Sequence, residues 1–260
     1  MVSLLPRTLG SFGIVAPVFD HVTIRVSDRA ASEAFYIRVL GVLGIDTTHT
    51  GEQFTEWGDF SLAEAMAWDA VTHGLHMGFG ASSRERVDEF WEVGTSAGYR
   101  SDGEPGPRPK YREDYYGAFL LDPDGNSVEA VHYDDVRTGH VDHLWIRVGN
   151  VEASQRFYET IAPYVGIHGE KRTPERVIFR RAEGPGSFSV LTGDHVTEDL
   201  HLAFAAPDDE TVDAFHTAAV EAGYRDNGTP GERRVYHPGY YSAYVLDPDG
   251  NNVELVSHNR

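Results

Sequence analysis

The chain contains no cysteine. Disulfide frameworks, thiolate metal ligands and cysteine nucleophiles are therefore excluded from the outset. Positive charge is scarce as well: 22 Lys and Arg stand against 41 Asp and Glu, a formal net charge of −19. The acidic excess is spread along the chain rather than gathered in a tail. Such a surface repels nucleic acid and anionic membranes, so neither is expected as a partner. Long apolar runs are missing too, and no stretch approaches the roughly 20 residues that span a bilayer. The N-terminal residues carry one arginine and apolar runs broken by Pro6 and Gly10, which makes a poor signal peptide. A cytoplasmic protein handling a small molecule, as a monomer or homodimer, is the expectation. The 40% hydrophobic content over 260 residues fills one or two ordinary cores.

What the chain does have is a duplication. Phe19-Asp20-His21-Val22-Thr23-Ile24-Arg25-Val26 recurs as Val141-Asp142-His143-Leu144-Trp145-Ile146-Arg147-Val148, and Leu75-His76-Met77-Gly78-Phe79 recurs as Leu200-His201-Leu202-Ala203-Phe204. A third pair closes each copy. Asp122-Pro123-Asp124-Gly125-Asn126 leads to Glu129, and Asp247-Pro248-Asp249-Gly250-Asn251 leads to Glu254. Asp-Pro-Asp-Gly-Asn between β-rich runs is a hairpin turn: proline presets φ, glycine takes positive φ, and Asp or Asn side chains bond their own backbone. Two domains are expected, 1–137 and 138–260, joined around 134–139.

Each half reads as two strand–helix–strands units. Ser27 or Asp28 caps a helix running to about Leu40, with Ala31, Ala34, Phe35 and Val39 facing inward. Residues 45–67 are irregular strands. Ser82 or Ser83 caps a second helix with Val87, Phe90 and Trp91 inward, stopped by Gly98. In the later copy Asp208 is the cap, Val212, Phe215 and Ala219 face inward, and Gly223 stops the helix. Residues 103–109 and 228–231 read as loops. Four β-α-β-β-β units predict an α+β protein with helices outside curved, mostly antiparallel sheets.

Strand alternation orients the candidate residues. His21, Thr23 and Arg25 share one face while Val22, Ile24 and Val26 share the other; His143, Trp145 and Arg147 repeat the pattern against Leu144, Ile146 and Val148. Gly78 and Gly80 lie on the face of His76, and Ala203 and Ala205 on that of His201, leaving room for a ligand. Glu129 and Glu254 point away from their apolar neighbours. A lone strand histidine is usually structural and a lone glutamate after a turn usually solvated. Recurrence of all three, in order and on one face, points instead to two histidines and a carboxylate around a divalent metal with open positions.

With these motifs the chain resembles the vicinal oxygen chelate superfamily, which includes glyoxalase I, bleomycin-resistance proteins, thiol transferases and extradiol dioxygenases. The resemblance runs from about Phe19 to His258. It implies paired β-α-β-β-β modules closing into two glyoxalase-like cups, with metal ligands at His21, His76, Glu129, His143, His201 and Glu254. Fe2+ is the favoured ion, with Mn2+, Ni2+, Zn2+ or Co2+ as alternatives. Whether each triad forms within a half, or His143 joins His76 and Glu129 while His21 joins His201 and Glu254, is left open by the sequence. Glyoxalase I adds a fourth carboxylate ligand; the matching strands hold only Glu64 in the first copy and no acid in the second, which favours three-ligand members. Extradiol dioxygenases add a histidine and a tyrosine before the turn. His237 and Tyr244 stand at those places in the second copy as candidate catalytic residues, although Ala243 departs from the signature. The first copy has Arg112 and Phe119 instead. The expected function is a metal-dependent enzyme on a small molecule with adjacent oxygens, extradiol-dioxygenase-like first, a lyase or thiol transferase second. Arg25 and Arg147 would meet an anionic substrate. The rival is a drug-binding protein without catalytic metal, using Trp145, Tyr115, Tyr116, Tyr240 and Tyr241 as stacking walls.

Overall fold

Four modules of the same plan follow one another in the computed structural model, which describes residues 17–134, 140–181 and 186–259. The extreme N-terminus and residues 135–139 of the expected join lie outside the described residues. The first module is β1 (His21–Val26), α1 (Arg29–Gly41), β2 (His49–Thr50), β3 (Phe54–Trp57) and β4 (Phe60–Glu64). The second is β5 (His76–Gly80), α2 (Arg84–Ser96), β6 (Ser101–Pro107), β7 (Tyr116–Leu121) and β8 (Ser127–His132). The third is β9 (Val141–Arg147), α3 (Val151–Val165), β10 (Ile167–Thr173), β11 (Arg176–Arg181) and β12 (Ser187–Leu191). The fourth is β13 (His201–Ala205), α4 (Asp209–Glu221), β14 (Arg225–Glu232), β15 (Tyr240–Leu246) and β16 (Asn252–His258).

Each helix starts where a short polar side chain accepts a hydrogen bond from an otherwise orphaned backbone N–H. Asp28, Ser83, Asn150 and Asp208 do this for the N–H of Ala31, Arg86, Ala153 and Thr211. The buried face of α1 is Ser32, Phe35, Tyr36, Val39 and Leu40. Ala34 is exposed and Ala31 only half-buried, so the stripe is turned from the expected one. The reason is Tyr36, whose hydroxyl must reach Asp122 at 2.9 Å in the first Asp-Pro-Asp-Gly-Asn turn. The turn thereby does more than close a hairpin. Its Asp124 also accepts a hydrogen bond from the Ser27 backbone at 3.1 Å, which fastens the first module to the second. Gly125 and Gly250 have φ of 86° and 93°, the left-handed geometry that glycine supplies without strain.

The segments 103–109 and 228–231, expected as loops, are largely edge strands. β6 pairs with β7 and β14 with β15, with register shifts at Gly103, Gly106, Gly228 and Gly231. Glycine and proline are tolerated there because the strands are bulged and lie on the sheet rim.

The strands form two eight-stranded sheets, ordered β14-β15-β16-β13-β1-β4-β3-β2 and β10-β11-β12-β9-β5-β8-β7-β6. Each sheet takes four strands from either side of the join. Antiparallel pairing of β1 with β13 and of β5 with β9 joins the modules across the halves. The helices keep the other allegiance, α1 packing on α2 and α3 on α4. Alternation holds: Val22, Ile24 and Val26 are fully buried toward the helices while His21, Thr23 and Arg25 are half-buried on the concave side. Phe19, Phe188 and Phe204 meet with ring centroids 5.8–6.1 Å apart, so one continuous core runs through both sheets. Each such ring stabilises by roughly 1.5–3 kcal/mol through burial. No helix among the described residues is long and apolar enough to cross a membrane.

Candidate metal centres

Three adjacent strands, β8-β5-β9, place Glu129, Gly78 and His143 level with one another. His76 lies two residues along β5 and so on the same face. The strands β16-β13-β1 repeat this with Glu254, Ala203 and His21 level and His201 two residues along. The six expected ligands therefore converge as His76–Glu129–His143 and His21–His201–Glu254. Each set combines both halves of the chain, the exchanged arrangement. The space expected for a ligand beside Gly78 is taken by the His143 imidazole itself.

In the first set the Nε2 atoms of His76 and His143 are 3.0 Å apart and lie 3.1 and 3.3 Å from Glu129 Oε2. In the second, the Nε2 atoms of His21 and His201 are 3.1 Å apart and lie 3.5 and 3.0 Å from Glu254 Oε2. Bonds of about 2.1 Å put neighbouring donors of an octahedral ion about 3.0 Å apart. Both sets thus match one face of an octahedron, and the donors fit a divalent ion. The first set is closed, with side chains only 4%, 1% and 8% exposed for His76, Glu129 and His143. The second is more open, His21 and His201 being 25% and 20% exposed.

The other ring nitrogens are tied back. His143 Nδ1–H donates to Asp142 at 2.8 Å and His21 Nδ1–H to Asp20 at 2.9 Å, which leaves each Nε2 lone pair facing its centre. Ser127 lies 3.0 Å from His76 Nδ1 and the Asn252 amide 2.8 Å from His201 Nδ1. The second carboxylate oxygens are held by tyrosines, Tyr115 donating to Glu129 Oε1 at 2.6 Å and Tyr240 to Glu254 Oε1 at 2.8 Å. Burial alone would raise the pKa of Glu129, but hydrogen bonds from His143 and His76 and their charge bring it down to about 2. Burial pushes His143 down, and Asp142 with Glu129 overcomes this and holds it up at about 9. His76 is lowered by its burial. His21 is raised by Asp20 and Glu254 against its burial, while burial lowers His201. In each centre one histidine is thus raised and the other lowered beside a carboxylate, and a dication would compete with any proton held there.

Tyr244 registers directly opposite Glu254, its ring 6.2 Å from His201. Burial and the Glu254 charge raise its pKa. Phe119 occupies the same place opposite Glu129, 5.9 Å from His76. His237 lies before β15 with both ring nitrogens engaged, Nδ1 at 2.8 Å from the Pro238 carbonyl and Nε2 at 3.0 Å from His258 Nδ1. His258 Nε2 is 2.9 Å from Asp20, so His237 reaches His21 only through a chain of two side chains. In the closed centre Tyr133 takes the place of His258, donating to Asp142 at 3.2 Å. Glu64 is exposed and in register with Val26, away from the centre; the concave positions are Ser61 and Ala63 on β4 and Ser187, Ser189 and Leu191 on β12.

The tyrosines expected as stacking walls divide by parity. Tyr115 and Tyr240 serve the glutamates, while Tyr116 and Tyr241 turn outward to Asp88 and Asp213. Trp145 does line a cavity of about 300 Å3 over the closed centre, together with His76, Tyr111 and Phe119. Residue reasoning missed Asp20, Asp142, Tyr115 and Tyr240 as supports. The Asp-His dipeptide and a tyrosine 14 residues before each glutamate, present in both copies, were the available signals.

A family model described as the Glyoxalase/Bleomycin resistance protein/Dioxygenase superfamily matches residues 18–130 and 140–255. Among solved structures, glyoxalase I from Zea mays is 21% identical, with 92% of this chain and 92% of that one covered and a TM-score of 0.64. A Bacillus subtilis protein described as a candidate dioxygenase is 13% identical over 93% of this chain and 85% of its own, with a TM-score of 0.63. A glyoxalase/bleomycin resistance protein from Albidiferax ferrireducens is 35% identical over 44% of this chain and 98% of its own, with a TM-score of 0.40. No curated protein gives a match to the chain. The two long likenesses establish the shared fold.

Proposed function

Because the chain belongs to the glyoxalase/bleomycin resistance protein/dioxygenase superfamily, we propose that it is a divalent-metal-dependent enzyme acting on a small molecule with two adjacent oxygens, and that its open centre performs extradiol-type cleavage of a catechol. The observation that carries this reading is the pair of His–His–Glu sets with donors 3.0–3.5 Å apart and no carboxylate among the concave residues of β4 and β12. Two histidines and one carboxylate on a single face, with the remaining positions free, is the ligand set of mononuclear oxygenase iron. Fe2+ is accordingly favoured over Mn2+, Ni2+, Zn2+ or Co2+. A bound ion would supply Lewis acidity and adjacent positions for the substrate oxygens, lowering the pKa of a hydroxyl held there.

The chain's own residues supply the rest. Asp20 fixes the His21 tautomer, and His258 and His237 hold Asp20 in place, so His237 acts as a positioning residue. Tyr240 keeps Glu254 presenting one oxygen. Tyr244, across from Glu254 and kept protonated by its surroundings, is the catalytic residue: its hydroxyl can donate to a substrate oxygen and return the proton later. The closed centre has Phe119 in that place and therefore lacks the proton donor, which favours a non-redox, lyase or transferase role there.

The test is metal analysis of protein purified without added metal, followed by oxygen uptake with catechol. Iron that falls in Glu254→Ala, together with catechol-dependent oxygen uptake lost in the same variant, is the expected result. A protein that takes up none of Fe, Mn, Ni or Zn would sink the enzyme reading and leave a binding protein.

A further inference from the structure

In a chain with 41 acids and 22 bases most cations should sit beside a carboxylate. Around the closed centre they do not. Arg108, Lys110 and Arg147 line the cavity of about 300 Å3. Arg176 stands beside it on β11, its guanidinium carbon 4.5 Å from the centre of the Trp145 ring. Among the described residues none of the four forms an ion pair. Arg108 donates to the Glu104 carbonyl at 2.7 Å, Arg147 to that of Gly74, and Arg176 to the Ser189 hydroxyl at 2.8 Å. The Lys110 ammonium lies over the Tyr111 ring at 4.7 Å. The one acid on the lining, Asp102, accepts a hydrogen bond from Ser127. Burial lowers the pKa of Arg176, as it does for a cation that has lost water and gained no counter-charge.

The open centre is a built-in comparison, because the duplication gives every position a counterpart. By the sequence offsets, Arg233 replaces Arg108, Val235 replaces Lys110, Phe54 replaces Arg176 and Arg25 replaces Arg147. Arg25 has Asp69 at 4.0 Å. Four unpaired cations thus face one cup, against a single one at the other. The difference cannot come from the fold, which is common to both.

We propose that the cup over His76, Glu129 and His143 recognises a small organic carboxylate, its anionic group among Arg108, Lys110, Arg147 and Arg176 and its adjacent oxygens directed to the His–His–Glu donors. This rests on the metal-chelating reading above and adds the substrate's charge to it. Opposite charge in a partly desolvated cavity strengthens binding, and one charge-assisted contact is sufficient for about a tenfold preference.

The experiment uses the full chain as Glu254→Ala, so that only the closed centre reports, loaded with Zn2+ to exclude oxidation. Binding of 3,4-dihydroxybenzoate and of catechol, which share their vicinal hydroxyls and differ in one carboxylate, is followed calorimetrically. The expected result is one zinc retained and binding of the carboxylate at least about tenfold tighter, with the preference reduced at least about threefold by Lys110→Glu and by Arg176→Gln. Lys110 is exposed, so its replacement leaves folding intact. Equal affinities on a zinc-loaded protein, or a preference unmoved by both substitutions, would overturn this inference alone. A protein that retains no zinc would overturn the chelate reading and this inference with it.

Discussion

Every histidine of the two centres presents Nε2 inward, and each has its Nδ1 engaged by a neighbour. The glutamates are treated alike, one oxygen inward and the other held by a tyrosine. These outer bonds set how well a metal would be held, because an untethered carboxylate must lose rotational freedom on binding. Tyr240→Phe removes the donor from Glu254 Oε1, a group 1% exposed. Metal affinity of the open centre should fall about 10–100-fold while the closed centre is unaffected. Titration against a chelating dye, on protein carrying Glu129→Ala to silence the closed centre, reads this directly; unchanged affinity would make Tyr240 a packing residue. The six candidate ligands could be picked out because they recur in both copies. Tyr240 recurs too, as Tyr115, but it lies four residues along β15 from Tyr244, the true register partner of Glu254. Its reach depends on sheet curvature, which alternation does not encode.

Strands carry the next level of constraint. β5 approaches β9 closely at Gly78, where a methyl group would fall on the His143 ring. That ring cannot yield, being fixed by Asp142 and Glu129. Gly78→Ala should therefore empty the closed centre and leave the open one, where Ala203 already occupies the matching position. The expected cost in stability is about 1–3 kcal/mol from overpacking, and elemental analysis should show metal per chain falling by one. Retention of both ions would mean that β9 can retreat. The turns are testable by pH. Burial pushes Asp122 and Asp247 up to about 6, against hydrogen bonds from Asn126 and Asn251. Between the unfolded value of about 3.9 and 6 the native state binds more protons than the unfolded one. Stability contributed by these groups therefore falls as pH rises through that window and is level above it. Relative to Asp122→Asn, the wild type should lose on the order of 2 kcal/mol more between about pH 4 and about pH 7 in urea unfolding. Parallel pH profiles would refute the assignment. These turns were plain in the sequence because glycine and proline punctuate them. The same residues concealed β6 and β14, since glycine and proline in an edge strand look like a loop until its partner is known.

At the scale of the whole molecule the halves are linked twice and in opposite senses. Helices pack within a half, whereas sheets and centres form between halves. This pairing could not be read from sequence. β1 and β9 offer β5 nearly the same strand, Asp-His followed by alternating apolar residues, and local signals are equal for both partners. The choice is made by packing of whole modules, and it has a consequence for loss of metal. His21 and Glu254 belong to one centre although 233 residues separate them, and His143 and Glu129 belong to the other. Combining His21→Ala with Glu254→Ala should therefore damage a single centre and leave one metal per chain. Combining His21→Ala with Glu129→Ala should damage both and leave none. Centres confined to the halves would reverse the two outcomes, since His21 and Glu129 would then share a site. Each substitution leaves a buried partner with one fewer counter-charge, so circular dichroism verifies that both double variants are folded before metal is counted. The single variants all give the same loss and cannot discriminate. Only the pairwise comparison can, because two substitutions in one site fail to add while two in separate sites do.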